Sequence, residues 1–227
     1  MCAIFGASSF NEFTDLYNEN KDRGSFAFGG LFLSSDYDAC MHIEGIANLH
    51  PKMDITNHDI NMKPEDFYYF LGHTQAPTSS VREFDSKTSH PFTCGTWVVA
   101  HNGVLTNDKK LKKTINNPKW YNEVDSSVIP ALLSVGSDSN QDEVTNICNV
   151  LSKLEGTFGL WIYNKLSNNT YLARAGSTMY ANYLTNSFAS MPRTGYKSLD
   201  EGVLYLITRE GLTSVGSFDS NSPFFVL

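Results

Sequence analysis

Asp142-Glu143-Val144-Thr145-Asn146-Ile147-Cys148-Asn149-Val150-Leu151-Ser152-Lys153-Leu154-Glu155-Gly156-Thr157-Phe158-Gly159-Leu160-Trp161-Ile162-Tyr163 changes its apolar period halfway along. Up to Leu154 the apolar residues stand at 144, 147, 148, 151 and 154, one face of an amphipathic helix. Ser139 or Asn140 is its expected cap and Gly156 its stop. From Thr157 to Tyr163 the run is apolar and aromatic, as in a buried strand. Just upstream, Ser126 to Val135 repeats the helical spacing at 128, 129, 132 and 133, with Pro130 in the first turn or at a kink. Asp108 to Asn116 reads as a short basic helix.

Strands lie on both sides of this helical block. Before it come Cys2–Gly6, Ser25–Leu33, Cys40–Ile46, Phe67–Gly72 and Trp97–Ala100, the last stopped by Asn102-Gly103. After it come Thr157–Tyr163, Thr170–Ala173, Met179–Leu184, Val203–Thr208 and Leu212–Val215. Ser9 and Glu12 form a capping box for one early helix, which runs to about Lys21 and is ended by Gly24. Residues 48–64 and 76–95 read as loops, and long loops inside compact domains are often functional. Strands at each end with helices grouped between predict an α+β fold, two stacked antiparallel sheets with helices outside. The whole chain, 1–227, reads as one domain with no internal repeat.

Composition narrows the function classes. Hydrophobic residues make up 41% and charged residues 18% of the chain, the balance of a globular protein. The net charge is −7, and the one basic cluster, Lys109 to Lys113, reads as a solvated helix face, so no nucleic-acid partner is expected. No apolar run approaches the roughly 20 residues that span a bilayer, and no leader pattern precedes the first strand, so no membrane partner is expected. Cysteines at 2, 40, 94 and 148 make no C-x-x-C pair and no zinc spacing. A reducing cytoplasm is the expected compartment.

Four stretches carry chemistry only when taken together. Cys2, once Met1 is excised, has a thiol and a free α-amine on one residue. An α-amine titrates near ~8, so at neutral pH part of it is a base. His101-Asn102-Gly103 offers a side-chain amide beside a bare backbone, which suits an oxyanion hole. Asp125 stands before a helix, as an N-cap or as a partner for a substrate ammonium group. Gly72-His73-Thr74-Gln75-Ala76-Pro77-Thr78 is a strand end entering the long loop. Alone, each has a plain reading: a chance cysteine, a hairpin turn, a cap, a turn.

Their order and spacing resemble the glutaminase domain of class II glutamine amidotransferases, of the N-terminal-nucleophile hydrolase type. Cys2-Ala3-Ile4-Phe5-Gly6 matches the opening C-x-I-x-G. Arg23-Gly24 matches an Arg-Gly step. Gly72-His73-Thr74-Gln75 with Thr78 matches a G-H-T-R-x-x-T-like segment. His90-Pro91 and His101-Asn102-Gly103 match a His-Pro and a strand ending H-N-G. Glu123-Val124-Asp125-Ser126 matches the acidic residue before a helix, and Leu154-Glu155-Gly156-Thr157-Phe158-Gly159 a strand entry. The resemblance covers roughly residues 2 to 216. Ala76-Pro77-Thr78 further resembles amidotransferase halves that serve 7-deazaguanine amidation.

The resemblance implies a four-layer αββα sandwich. It implies Cys2 as nucleophile, Asn102 and Gly103 as oxyanion donors, Asp125 as the site of the substrate α-ammonium, and Arg23 as a support for the first strand. Gln75, Ala76 and Thr78 fall in the substrate-binding segment. Gln75 stands where that family has an Arg for the α-carboxylate of glutamine. Arg82, seven residues on, is a candidate replacement, because a guanidinium fork matches a carboxylate. The implied reaction is glutamine hydrolysis through a Cys2 thioester, with no metal or organic cofactor and with ammonia passed to a separate synthase subunit. A stand-alone hydrolase of another γ-glutamyl-like amide is the alternative, and a catalytically silent binding module the third reading.

Overall fold

The computed structural model describes residues 2–24, 27–34, 41–45, 64–76, 88–115, 124–137 and 141–220. Two antiparallel sheets face each other. The first contains β1 (Ala3–Ala7), β2 (Ala27–Ser34), β3 (Met41–Gly45), β4 (Phe67–Gln75), β9 (Tyr180–Asn182), β10 (Ser187–Ala189) and β11 (Lys197–Ser198), in the order β11-β9-β10-β1-β4-β2-β3. The second contains β5 (Phe92–Cys94), β6 (Trp97–Leu105), β7 (Gly156–Asn164), β8 (Asn169–Ala175), β12 (Val203–Thr208) and β13 (Gly211–Ser217), in the order β13-β12-β8-β7-β6-β5. Helix α1 (Phe10–Asn20) covers the first sheet. Helices α2 (Asp108–Lys112), α3 (Val128–Ser137) and α4 (Glu143–Leu151) cover the second. This is the expected four-layer sandwich.

Alternation along each central strand builds three cores. On β6, Val98 and Ala100 face the interlayer while Trp97 and Val99 face α3 and α4. On β4, Leu71 faces the interlayer and Phe70 faces α1. Both faces are buried, which is why these strands read as continuous apolar runs. Helix α1 inserts Phe13, Leu16 and Tyr17 among Phe5, Phe28, Phe32 and Phe70. Truncating a wholly buried aromatic such as Phe13 costs about 3–5 kcal/mol.

Among the described residues, two side-chain bonds join central strands of opposite sheets. The Trp161 indole N–H on β7 donates to the Gly72 carbonyl on β4 at 3.1 Å. His73 Nε2 donates to the His101 carbonyl on β6 at 3.2 Å. Each satisfies a buried polar group that would otherwise cost about 1–3 kcal/mol.

Several local expectations are corrected. Strand β6 runs through Asn102-Gly103 to Leu105 because β7 pairs with it throughout, Asn102 opposite Gly159 and Gly103 opposite Phe158. Gly72 to Gln75 is strand and no turn, since β1 and β2 flank β4 on both sides. Helix α4 is capped by Asp142, whose carboxylate accepts from the Thr145 N–H at 3.0 Å, and not by residue 139 or 140. Ser9 does cap α1, at 3.4 Å from the Glu12 N–H. Glu12 does not complete the box: its carboxylate accepts from the hydroxyls of Thr185, Ser187 and Tyr196. Pro130 sits in the first turn of α3, where its missing N–H has no partner to lose. The expected strand from Met179 to Leu184 is shortened to β9, and β5, β10 and β11 were not expected. The loop expected at 48–64 lies almost wholly outside the described residues.

Candidate active site

Cys2 stands at the mouth of β1, half-buried, with its thiol 3.9 Å from the Ala76 carbonyl at the end of β4. The strand behind it is held on both edges. Ala3 pairs with Thr74, and Ile4 exchanges two bonds with Ser190, its N–H to Ser190 Oγ at 3.1 Å and its carbonyl from the Ser190 N–H at 2.8 Å. Across the interlayer, Ile4 lies against Gly159, which is the register partner of Asn102. The thiol end of β1 and the Asn102 stretch of β6 therefore occupy the same end of the sandwich.

Asn102 is 9% exposed, and among the described residues its carboxamide has no hydrogen-bond partner. Gly103 follows with φ 153°, at the point where β6 reaches the surface. A Cβ there would overlap the Thr157 carbonyl and come 2.8 Å from His101 Nε2. Only glycine fits, and the backbone beside Asn102 stays bare. An unengaged amide next to a bare, exposed backbone leaves donors available to a developing oxyanion.

Asp125 does not cap α3. It opens a short 3₁₀ turn, Asp125–Ser127, and its Oδ2 accepts from the Leu105 N–H at 2.9 Å. Its Oδ1 lies 3.2 Å from Ser126 Oγ, which is 2.8 Å from His101 Nδ1. The other ring nitrogen, Nε2, is 3.1 Å from the Thr157 carbonyl. Burial pushes His101 below the usual histidine range, against the opposing pull of Asp125 and the Thr157 bond.

A second layer of polar groups lies beneath. His73 and His90 stack with ring centroids 4.1 Å apart. Gln75 is 3% exposed and faces them. Its Oε1 accepts from the His90 N–H at 3.2 Å and lies 3.3 Å from His90 Nδ1, and its Nε2 donates to the Thr88 carbonyl at 3.4 Å. The Gln75 carboxamide thus fastens residues 88–90 to β4. Gly29 on β2 packs against the same place, where a Cβ would overlap the His90 carbonyl. Arg23 ends the 3₁₀ turn after α1, half-buried, and Gly24 behind it lies on the Thr74–Gln75 backbone.

The structure thus brings together Cys2, Ala76, Asn102 and Gly103, with Gln75, Arg23 and Asp125 around them. Thr78 and Arg82 lie outside the described residues. A cavity of about 360 Å³ lies elsewhere, at the far end of β1 between Ser8, Tyr68, Asn186 and Arg209. Among the described residues no cluster of His, Cys, Asp and Glu is placed to hold a metal ion, and no helix is long and apolar enough to cross a membrane. Sequence reasoning passed over Ser126 and Ser190. Nothing local marks a serine as the link between a histidine and a carboxylate, or as the partner of a strand 186 residues away.

A family described as "Glutamine amidotransferase domain" matches residues 80–193, half of the chain. Over 97% of its length the chain is 26% identical to a glutamine--fructose-6-phosphate aminotransferase of Francisella tularensis. Over 88% it is 25% identical to a 7-cyano-7-deazaguanine synthase of Saccharolobus solfataricus. It spans 37% and 43% of those two relatives. Among solved structures, an allosteric regulatory enzyme of purine biosynthesis superposes with a TM-score of 0.73 at 19% identity, over 97% of this chain and 50% of that one. A glutamine aminotransferase class-II domain protein from Silicibacter pomeroyi does so with a TM-score of 0.62 at 15% identity, over 98% of this chain and 99% of that one. At such identities the likeness is one of fold.

Proposed function

The chain belongs to the glutamine amidotransferase domain family, and from that premise we propose that it hydrolyses the side-chain amide of glutamine through a Cys2 thioester and supplies the ammonia to a synthase. The observation that carries this is the shared position of the Cys2 thiol and the unengaged Asn102 amide at one end of the sandwich. With Met1 removed, the Cys2 amine takes the thiol proton and the sulfur adds to the carboxamide carbon. Asn102 and the Gly103 backbone hold the oxyanion. The amine returns the proton to the departing nitrogen, and ammonia leaves a thioester. Water then adds to the thioester, and glutamate departs with the thiol restored. Asp125 Oδ1 takes the substrate α-ammonium.

The relatives lend support to one class of acceptor. Both curated relatives are longer than the region they share with this chain, and one is named a 7-cyano-7-deazaguanine synthase. The proposal is that a synthase of this kind, on a separate subunit, receives the ammonia. A second reading has one observation in its favour: the Gln75 amide is engaged with Thr88 and His90, so it offers no charge to an α-carboxylate. That favours a γ-glutamyl-like amide without a free α-carboxylate as substrate. Glutamate release from glutamine and from α-blocked amides, with and without co-purified proteins, separates the two. No release from any amide by protein with Met1 removed excludes both.

A further inference from the structure

Ser126 has one proton and two claimants. His101 Nε2 faces the Thr157 carbonyl, which only accepts, so that nitrogen carries a hydrogen. In neutral His101 the Nδ1 is then a bare lone pair 2.8 Å from Ser126 Oγ, and the hydroxyl must donate to it. Asp125 Oδ1, 3.2 Å from the same hydroxyl, receives nothing from it, and its sister oxygen holds the Leu105 N–H. In protonated His101 the Nδ1 donates to Ser126, and the hydroxyl turns its proton to Asp125 Oδ1. The carboxylate is then hydrogen-bonded and has a cation close behind it.

We infer that His101, acting through the Ser126 hydroxyl, sets whether Asp125 is open to the ammonium group of a substrate. Neutral His101 leaves Oδ1 free; protonated His101 fills it and repels a second cation. Both are positioning residues, and the inference rests on the reading of Asp125 as the ammonium site. The titratable groups facing the His101 ring are Asp125 from the turn before α3, His73 from β4 and His90 before β5. His73 stays neutral above a pKa of about 3, so it does not compete for the proton. Burial keeps His101 neutral at physiological pH, and the site is set open there.

The test uses the full chain as Cys2→Ala, which binds without turnover, with two probes: L-glutamine, and 4-carbamoylbutanoate, the same amide without the ammonium group. Calorimetry from pH 7.5 down through the range in which an NMR titration shows the His101 ring taking up its proton is expected to show glutamine binding weakening by about 5-fold or more, the usual scale of coupling between sites, while 4-carbamoylbutanoate does not follow. Ser126→Ala flattens the glutamine profile and Ser126→Thr restores it. Reciprocally, saturating glutamine lowers the His101 ring pKa of the same Cys2→Ala protein in an NMR titration, a readout that needs no change at Ser126. A glutamine affinity independent of pH, or an equal slope in Ser126→Ala, overturns the inference while Asp125→Asn still weakens binding at pH 7.5. If Asp125→Asn changes nothing there, the reading of Asp125 has failed and the inference falls with it.

Discussion

His73 and His101 belong to different sheets, and the ring of the first donates to the backbone carbonyl of the second at 3.2 Å. The residue after that carbonyl is Asn102. The peptide that positions the proposed oxyanion donor is thus fixed from the opposite layer, by a side chain buried on all sides.

Acid should therefore loosen the molecule at this point. Burial lowers the His73 pKa to about 3. An unfolded His73 takes up a proton near pH 6.5, so between about 6.5 and 3 the unfolded state binds more protons and stability falls as pH falls. The limiting slope is about 1.4 kcal/mol per pH unit. Urea midpoints at pH 7, 6 and 5 measure it. His73→Gln is expected to flatten part of that slope; an unchanged slope means that other groups set the acid limit.

Asn102→Ala is expected to lower turnover by about 100- to 1,000-fold with little change in the Michaelis constant, because the oxyanion exists chiefly in the transition state. Steady-state kinetics of glutamate release decide it. A change confined to the Michaelis constant would make Asn102 a contact of the bound substrate instead.

Gly103→Ala is expected to fail differently. The added methyl meets the Thr157 carbonyl and the His101 ring together, at a φ that side chains rarely adopt. Loss of thermal stability should accompany loss of activity. A stable, fully active alanine variant would show that β6 yields here.

Gln75→Ala removes the link between β4 and residues 88–90 and takes an acceptor away from the buried His90 N–H. About 1–3 kcal/mol of stability should be lost, whatever happens to glutamine affinity. Arg82→Ala, by contrast, should weaken glutamine binding by about 10- to 150-fold and leave the melting temperature alone, if Arg82 holds the α-carboxylate through a charged bond of about 1.5–3 kcal/mol. Equal melting temperatures for Gln75→Ala and the parent would refute the anchoring role.

A glutamine-mimicking electrophile is expected to label Cys2 ahead of Cys94 and Cys148, whose thiols burial pushes up and so keeps protonated. Peptide mapping by mass spectrometry reads the site. Faster labelling of Cys94 or Cys148 would remove the case for Cys2 as the nucleophile.

The layers were legible because the strands that build them are apolar on both faces and the helices carry clean periodicity, as in Val144 to Leu154. What failed was local chemistry overruled by neighbours. Asn102-Gly103 is turn-like by itself but stays extended because β7 runs beside it. Asp125 looks like a cap but reaches back to Leu105. Glu12 looks like half of a capping box but gathers hydroxyls from residues 185 to 196. Gln75 was legible as a departure from a pattern, yet its engagement with His90 depends on a contact fifteen residues away. Sequence spacing ranks nearby partners, and each of these residues found a distant one.

The strand order of the first sheet also dictates when the site comes into being. β1, the second residue's own strand, is sandwiched between β4 and β10, and β10 is not reached until residue 187. A chain emerging from the ribosome must grow to residue 187 before the far edge of that strand is covered. Until then β1 presents an unpaired apolar ladder, the kind of edge that invites wrong partners. Covering of β1 is therefore complete only with β10, and a chain cut short before Ser187 would hold Cys2 at the end of a strand with one edge open.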